Sequence, residues 1–230
     1  MVNAATGAAT LQTLYHYLET TMSLSRRLLL LALTAVLSAP VFARTLEESY
    51  DPVKPPQPTQ SAGKIEVIEF FWYGCPHCYS MESYVEKWLA TKPDDVAFIR
   101  IPAVLNKTWM IHARAYYTAQ KLGVLDKIHR PLFDAIHRDN RKIFSEEELH
   151  DFFVEQGVDG DEFTRVFNSN ETEIRIKQAF VLARNYRITG VPAFIVNGKY
   201  MTGAAQAGSY EDVMRVVDQL VDIERKANGK

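Results

Sequence analysis

Cysteine is scarce in this chain: only Cys75 and Cys78 occur among its 230 residues. So small a number excludes a disulfide framework standing in for a missing core. With no second cysteine pair, a four-ligand structural zinc site lacks its donors. Covalent haem attachment is excluded too, because Tyr79 and not histidine follows Cys78. Positive charge is in no excess either. A formal net charge of -2 argues against a nucleic-acid surface. The chain has no internal repeat and no long low-complexity tract. Near its start only 16 residues separate Arg27 from Arg44, short of the roughly 20 that a spanning helix needs. The 47% hydrophobic content is enough for a core of its own, in one domain or two.

The N-terminal stretch has the parts of an export signal. Ser23 to Arg27 is a short basic region, Leu28 to Leu37 is almost unbroken apolar sequence, and Val41-Phe42-Ala43 suits a signal peptidase. Residues 22–43 therefore read as a signal peptide cleaved after Ala43. Residues 1–21 hold no lysine or arginine and fit no part of such a signal, so translation is expected to start at Met22, with 1–21 a mis-assigned extension. The arginine pair also resembles a twin-arginine signal, but the strongly apolar run favours the general secretory (Sec-type) route. The mature product is a mildly acidic exported protein. Export matters because the bacterial periplasm is oxidising and the cytosol is not.

Along the mature chain, Pro52, Pro55, Pro56 and Pro58 make 44–63 a connector that allows at most an edge strand. Lys64–Trp72 is rich in β-branched and aromatic residues, the pattern of a strand buried on both faces, and Gly74 breaks it. Pro76 suits the first position of a helix, which places Cys75 at its N-cap. Met81, Tyr84, Val85, Trp88 and Leu89 then repeat at helical spacing, and Val96–Ile101 is a second strand. Strand, helix, strand implies a parallel βαβ unit. Five helices follow, near 108–122, 125–138, 146–156, 160–168 and 171–187. Ser145 to Glu148 forms a capping box with Phe144 and Leu149 placed as a staple, Asp159 to Glu162 forms a second cap, and Gly157 closes the helix between them. Ala193 to Thr202 returns to strand around an Asn197-Gly198 hairpin turn, and Ser209 caps a last helix ending near Asn228-Gly229. The fold class is α/β: a thioredoxin-like domain over 64–105 and 188–230, interrupted by an inserted helical domain over 106–187.

Two cysteines at i and i+3 in a first helical turn share a face, with Cα atoms roughly 5 to 6 Å apart, as a disulfide tolerates. They read as a working redox pair. The N-cap Cys75 faces unpaired N–H groups and the positive end of the helix dipole, both of which favour its thiolate. Cys75 is thus the candidate nucleophile, and the more buried Cys78 resolves the mixed disulfide. His77, inside the loop between them, is placed to add positive charge or a hydrogen bond to the Cys75 thiolate. Glu69 interrupts an apolar strand, with Arg100 on the neighbouring strand to offset it; it reads equally as a proton relay for Cys78 or as half of a buried ion pair. Trp72, Tyr73 and Tyr79 offer either an apolar docking surface or core packing. His112, His129, His137 and His150 show no ligand spacing and read as ordinary helix residues.

Three groups of residues resemble one family in the same order, from about residue 62 to the C-terminus. They are Glu69-Phe-Phe with Cys75-Pro76-His77-Cys78-Tyr, Leu122-Gly-Val with Pro131-Leu-Phe133, and Gly190-Val191-Pro192-Ala with Val196-Asn-Gly-Lys-Tyr200. The resemblance is to the DsbA family of periplasmic thiol:disulfide oxidoreductases. It implies an enzyme that gives its disulfide to newly exported, reduced proteins and is reoxidised by a DsbB-like membrane partner. It also implies a cis Val191-Pro192 bond lying against the disulfide, with the backbone before it pairing with substrate. The expectation is a monomeric dithiol oxidase needing no metal or organic cofactor. The rivals are a disulfide reductase or isomerase using the same residues, and a non-catalytic thiol protein that binds copper.

Overall fold

A strand that is apolar on both faces needs a neighbour along each edge, and Ile65–Phe71 has them. The computed structural model describes residues 44–227 and 229; the expected signal peptide over 22–43 and the expected extension over 1–21 lie outside the described residues. Five strands, β1 (Asp51–Pro52), β2 (Ile65–Phe71), β3 (Val96–Pro102), β4 (Ala193–Val196) and β5 (Tyr200–Thr202), form one sheet in the order β1-β5-β4-β2-β3. β2 is parallel to β3 and antiparallel to β4, and every one of its residues is buried. Its register sets Glu69 directly opposite Arg100 on one side and Phe194 on the other. The proline-rich connector contributes only the two-residue β1, paired antiparallel to β5. At the outer edge of β3, Lys92 Nζ donates to the Val96 carbonyl at 2.7 Å and the Tyr116 hydroxyl to the Arg100 carbonyl at 3.3 Å. Both contacts blunt an edge that would otherwise template another strand.

Helix α1 (Pro76–Leu89) joins β2 to β3. Between β3 and β4 run α2 (Lys107–Lys121), α3 (Leu125–His137), α4 (Glu146–Glu155), α5 (Gly160–Phe167) and α6 (Asn170–Asn185); α7 (Ala204–Ala207) and α8 (Tyr210–Ala227) follow β5. Side-chain caps start most of them: Asn106, Ser145, Asp159 and Ser169 each accept from a backbone N–H of the first turn, and Ser209 does so for Asp212. A cap of this kind is typically worth about 1 kcal/mol. The capping box at Ser145 and Glu148 is complete. Asn197 and Gly198 both take positive φ, 49° and 68°, as the hairpin turn between β4 and β5 requires. At Gly198 a side chain would also strike the Gln57 carbonyl.

Two apolar clusters pack the sheet. One joins Ile65 and Val67 of β2 to Met81, Val85 and Trp88 of α1 and to Val213, Val217 and Leu220 of α8. The other joins Ile68, Phe70 and Phe71 to the helices between β3 and β4, through Tyr116, Phe133, Phe153 and Ala183 among others. One local reading is corrected. Tyr84 is 37% exposed, its ring near Tyr210, because α1 buries a face centred on Cys78, Met81 and Val85. Phe144 keeps 39% exposure and lies against the His112 ring. The short α7 carries no periodic signal long enough to read from sequence.

Candidate active site

The site forms where β2 ends and α1 begins. The turn between them needs Gly74, since a side chain there would fall on the Trp72 indole. Cys75 follows as N-cap of α1 in extended conformation, with Pro76 in the first turn, where its missing N–H leaves no bond unmade. Both cysteines are free thiols. Cys75 is 8% exposed and Cys78, one turn on, is fully buried. The Cys75 thiol donates to the Val191 carbonyl at 3.4 Å, and the Val191–Pro192 bond is cis. β4 carries these two residues to the cysteines, because Ala193, next in the chain, pairs with Phe70 near the end of β2.

One helical turn separates two opposite electrostatic settings. Hydrogen bonding from the Cys78 thiol, above all, lowers the Cys75 thiol from 9.0 to about 6, with the backbone amides of Cys78 and His77 and then the His77 charge adding to the effect against the cost of burial. Cys78 is pushed well above its ordinary value by burial, by its hydrogen bond with Cys75 and by neighbouring negative charge including that of Glu69. His77 is exposed and its Nδ1 lies 2.7 Å from the Tyr210 hydroxyl. Its backbone amide ranks ahead of its ring charge in favouring the thiolate.

Beneath Cys78 lies a buried polar network that sequence reasoning found only in part. Arg100 Nε donates to Glu69 Oε2 at 3.0 Å, as the strand register suggests, and Arg100 Nη2 donates to Glu82 Oε2 at 3.2 Å. Glu82 is as buried as Glu69. Its Oε1 faces His129 Nε2 at 3.4 Å, an electrostatic contact looser than a well-formed hydrogen bond. His129 Nδ1 in turn lies 2.9 Å from the Tyr73 hydroxyl. Burial lifts the Glu69 carboxyl to about 8 against the pull of Arg100, whereas at Glu82 burial is outweighed by His129 and Arg100, which hold it low. Glu82 carries one sequence signal, an acid one turn beyond Cys78 at a core-facing position of α1; His129 carries none.

The remaining candidate residues divide between core and surface. Tyr73 is fully buried, so it belongs to the core and not to a docking surface. His129 and His137 of α3 both hold it, His137 Nε2 donating to its backbone carbonyl at 2.8 Å. His112, 1% exposed, donates from Nε2 to the Ile143 carbonyl at 2.7 Å. His112 and His129 are interior hydrogen-bonding groups and His137 is half-buried; His150 stays near the surface beside Asp151. Trp72 stacks on Trp109 at 4.6 Å, and both remain partly exposed. A groove of about 400 Å³ opens beside the cysteines, lined by His77, Val191, Pro192, Met201, Gln206 and Tyr210 among others. A larger one of about 890 Å³, between β3 and α6, touches neither cysteine and reaches only the Arg100 side of the network. Among the described residues no three His, Cys, Asp or Glu side chains converge as a metal site would need.

A redox-ready cysteine pair at the start of the helix after a central strand, faced by a cis proline at the head of the antiparallel strand next to it in the sheet, defines a thioredoxin-like thiol:disulfide oxidoreductase. Comparison with known proteins narrows the class. Residues 66–215 match the family model described as DSBA-like thioredoxin domain, and the chain belongs to that family. The thiol:disulfide interchange protein DsbA of Azotobacter vinelandii is 41% identical over 170 residues, 74% of this chain and 79% of the relative; that of Pseudomonas aeruginosa is 38% identical over 186 residues, 81% and 88%. The crystal structure of Pseudomonas aeruginosa DsbA covers 84% of this chain and 100% of its own with a TM-score of 0.77 at 37% identity. That of the oxidoreductase DsbA from Xylella fastidiosa gives 0.74 at 37%, covering 80% and 99%. The protein is a protein-disulfide oxidoreductase of the DsbA type.

Proposed function

We propose that the protein works as a dithiol oxidase in the periplasm, donating a Cys75–Cys78 disulfide to reduced exported proteins. The observation that carries this reading is the contrast between the two thiols: Cys75 is lowered to about 6 while Cys78 is raised. A stabilised Cys75 thiolate favours the reduced enzyme, which makes the disulfide a strong oxidant and Cys75 a good leaving group. A substrate thiolate attacks Cys75 Sγ; the bond to Cys78 breaks, a substrate–Cys75 disulfide forms, and the electron pair leaves on Cys78. Cys78 then takes up a proton, for which Glu69 is the donor. A second substrate thiolate attacks the substrate sulfur and releases Cys75 as thiolate. Pro76 leaves the helix N-terminus open, His77 assists the thiolate, and the backbone at Val191 and Pro192 lines the side from which substrate arrives.

The disulfide itself is the redox group, so no metal or organic cofactor enters. A DsbB-like membrane protein reoxidises the pair, and residues 22–43 direct Sec-type export of a monomeric enzyme, with 106–187 as its inserted helical domain. Equilibration with glutathione tests the direction of transfer. An oxidising potential supports a disulfide donor, and a strongly reducing one overturns it in favour of a reductase.

A further inference from the structure

The buried network holds two carboxylates, one guanidinium and one imidazole that burial keeps neutral, so it is electrically neutral when the carboxylates share one retained proton. Its geometry is lopsided. Both oxygens of Glu82 face a donor, Arg100 on Oε2 and His129 on Oε1. Glu69 has Arg100 on Oε2 alone and no hydrogen-bond partner on Oε1, whereas Glu82 Oε1, also outside hydrogen-bond geometry, lies 3.4 Å from His129 Nε2, so negative charge is the better compensated on Glu82. The His129 tautomer follows from its neighbours. Carboxylate Oε1 only accepts, so Nε2 carries the proton and Nδ1 accepts from the Tyr73 hydroxyl. The groups facing this imidazole are Tyr73 from the turn after β2, Glu82 and Glu86 from α1, Arg100 from β3 and Tyr116 from α2, with apolar Phe71 and Phe133 closing it off.

We propose that His129 is a positioning residue of the redox step: it holds Glu82 ionised, so the one proton of the carboxylate pair resides on Glu69, the carboxyl whose charge reaches Cys78. This rests on the reading of Glu69 as proton donor to Cys78. When the Cys75–Cys78 bond breaks, the proton moves from Glu69 to the departing Cys78 thiolate, leaving Glu69 ionised beside Arg100. On reoxidation Cys78 loses its proton back to Glu69 as the bond re-forms.

The test is carboxyl NMR of the oxidised full-length mature protein labelled at glutamate Cδ, with assignments from E69Q and E82Q. In the unmodified protein Glu69 titrates last and Glu82 stays ionised. In H129L the Glu82 midpoint rises and that of Glu69 falls by about one unit, a tenfold change in proton affinity, and the pH profile of mixed-disulfide formation moves with it. H129Q, which keeps a donor and an acceptor, restores the original order. Y73F frees the tautomer and shifts the same midpoints the same way, so it serves if H129L does not fold. Unchanged carboxyl titrations in the folded variants overturn the role of His129. Failure of the underlying reading looks different: E69Q would then leave the pH profile of mixed-disulfide formation as it was.

Discussion

At the mouth of the site Cys75 meets backbone amides, a partner thiol and an exposed imidazole, all of which favour charge on sulfur. At the floor, one turn of α1 further in, Cys78 meets apolar packing and the negative charge of Glu69, which disfavour it. The same side chain is thus tuned in opposite directions by the depth at which one helix presents it. The lesson is that the asymmetry of a CxxC pair is built by two regions of different origin. The mouth is a local product of a helix N-terminus, and the floor is a tertiary product of β2, β3, α1 and α3.

The largest effect comes from breaking the pair itself. C75S abolishes oxidation of a reduced peptide, whereas C78A, offered a peptide disulfide, makes one attack with its Cys75 thiolate and accumulates a mixed disulfide, visible as a mass adduct that thiol reagents release. Next is the floor. R100M takes the counter-charge from the buried, ionised Glu82 and lowers unfolding free energy by about 3–5 kcal/mol near neutral pH in urea titrations. The loss shrinks at pH 5, where protonation relieves that carboxylate.

A pH series sharpens the comparison, because the two regions slope in opposite senses. Glu69, at about 8 in the fold against an ordinary 4.5, contributes stability that is complete below 4.5 and is lost as pH rises towards 8. E69Q removes that decline from the urea unfolding of the oxidised protein. Cys75, at about 6 against 9.0, contributes stability to the reduced protein that is complete above 9.0 and is lost as pH falls through 6. The reduced form therefore gains on the oxidised form across that window, and C75S erases the gain. The smallest effect is at His77, whose ring charge is the least of the contributions to the thiolate. H77S raises the Cys75 midpoint by less than about one unit, read from thiolate absorbance against pH.

Much of the mouth was legible in the chain itself. Proline after cysteine, a breaking glycine before it and apolar spacing beyond are short-range signals, and a helix N-terminus polarises its own N-cap without help from distant residues. The turn at Asn197-Gly198 and the caps at Ser145 and Asp159 were legible for the same reason. Glu69 stood out as a lone acid in an apolar strand, and Arg100 opposite it followed from pairing two strands in register. The floor was not legible beyond that pair. Glu82 reaches Arg100 across 18 residues and His129 reaches Tyr73 across 56, and no periodicity within one element records which faces of different elements will meet.

Tyr73 makes the same point from the other side: an aromatic beside the cysteines suits a docking surface and a core equally, and α3 decides the matter by covering it. The sequence by itself determined the redox pair, its helix N-terminus and the order of strands and helices, because these depend on contacts along the chain. Only the tertiary structure decided that Tyr73 lies in the core and which second acid and imidazole share the buried charge. Burial and ion pairing act through space, and their partners are chosen by packing.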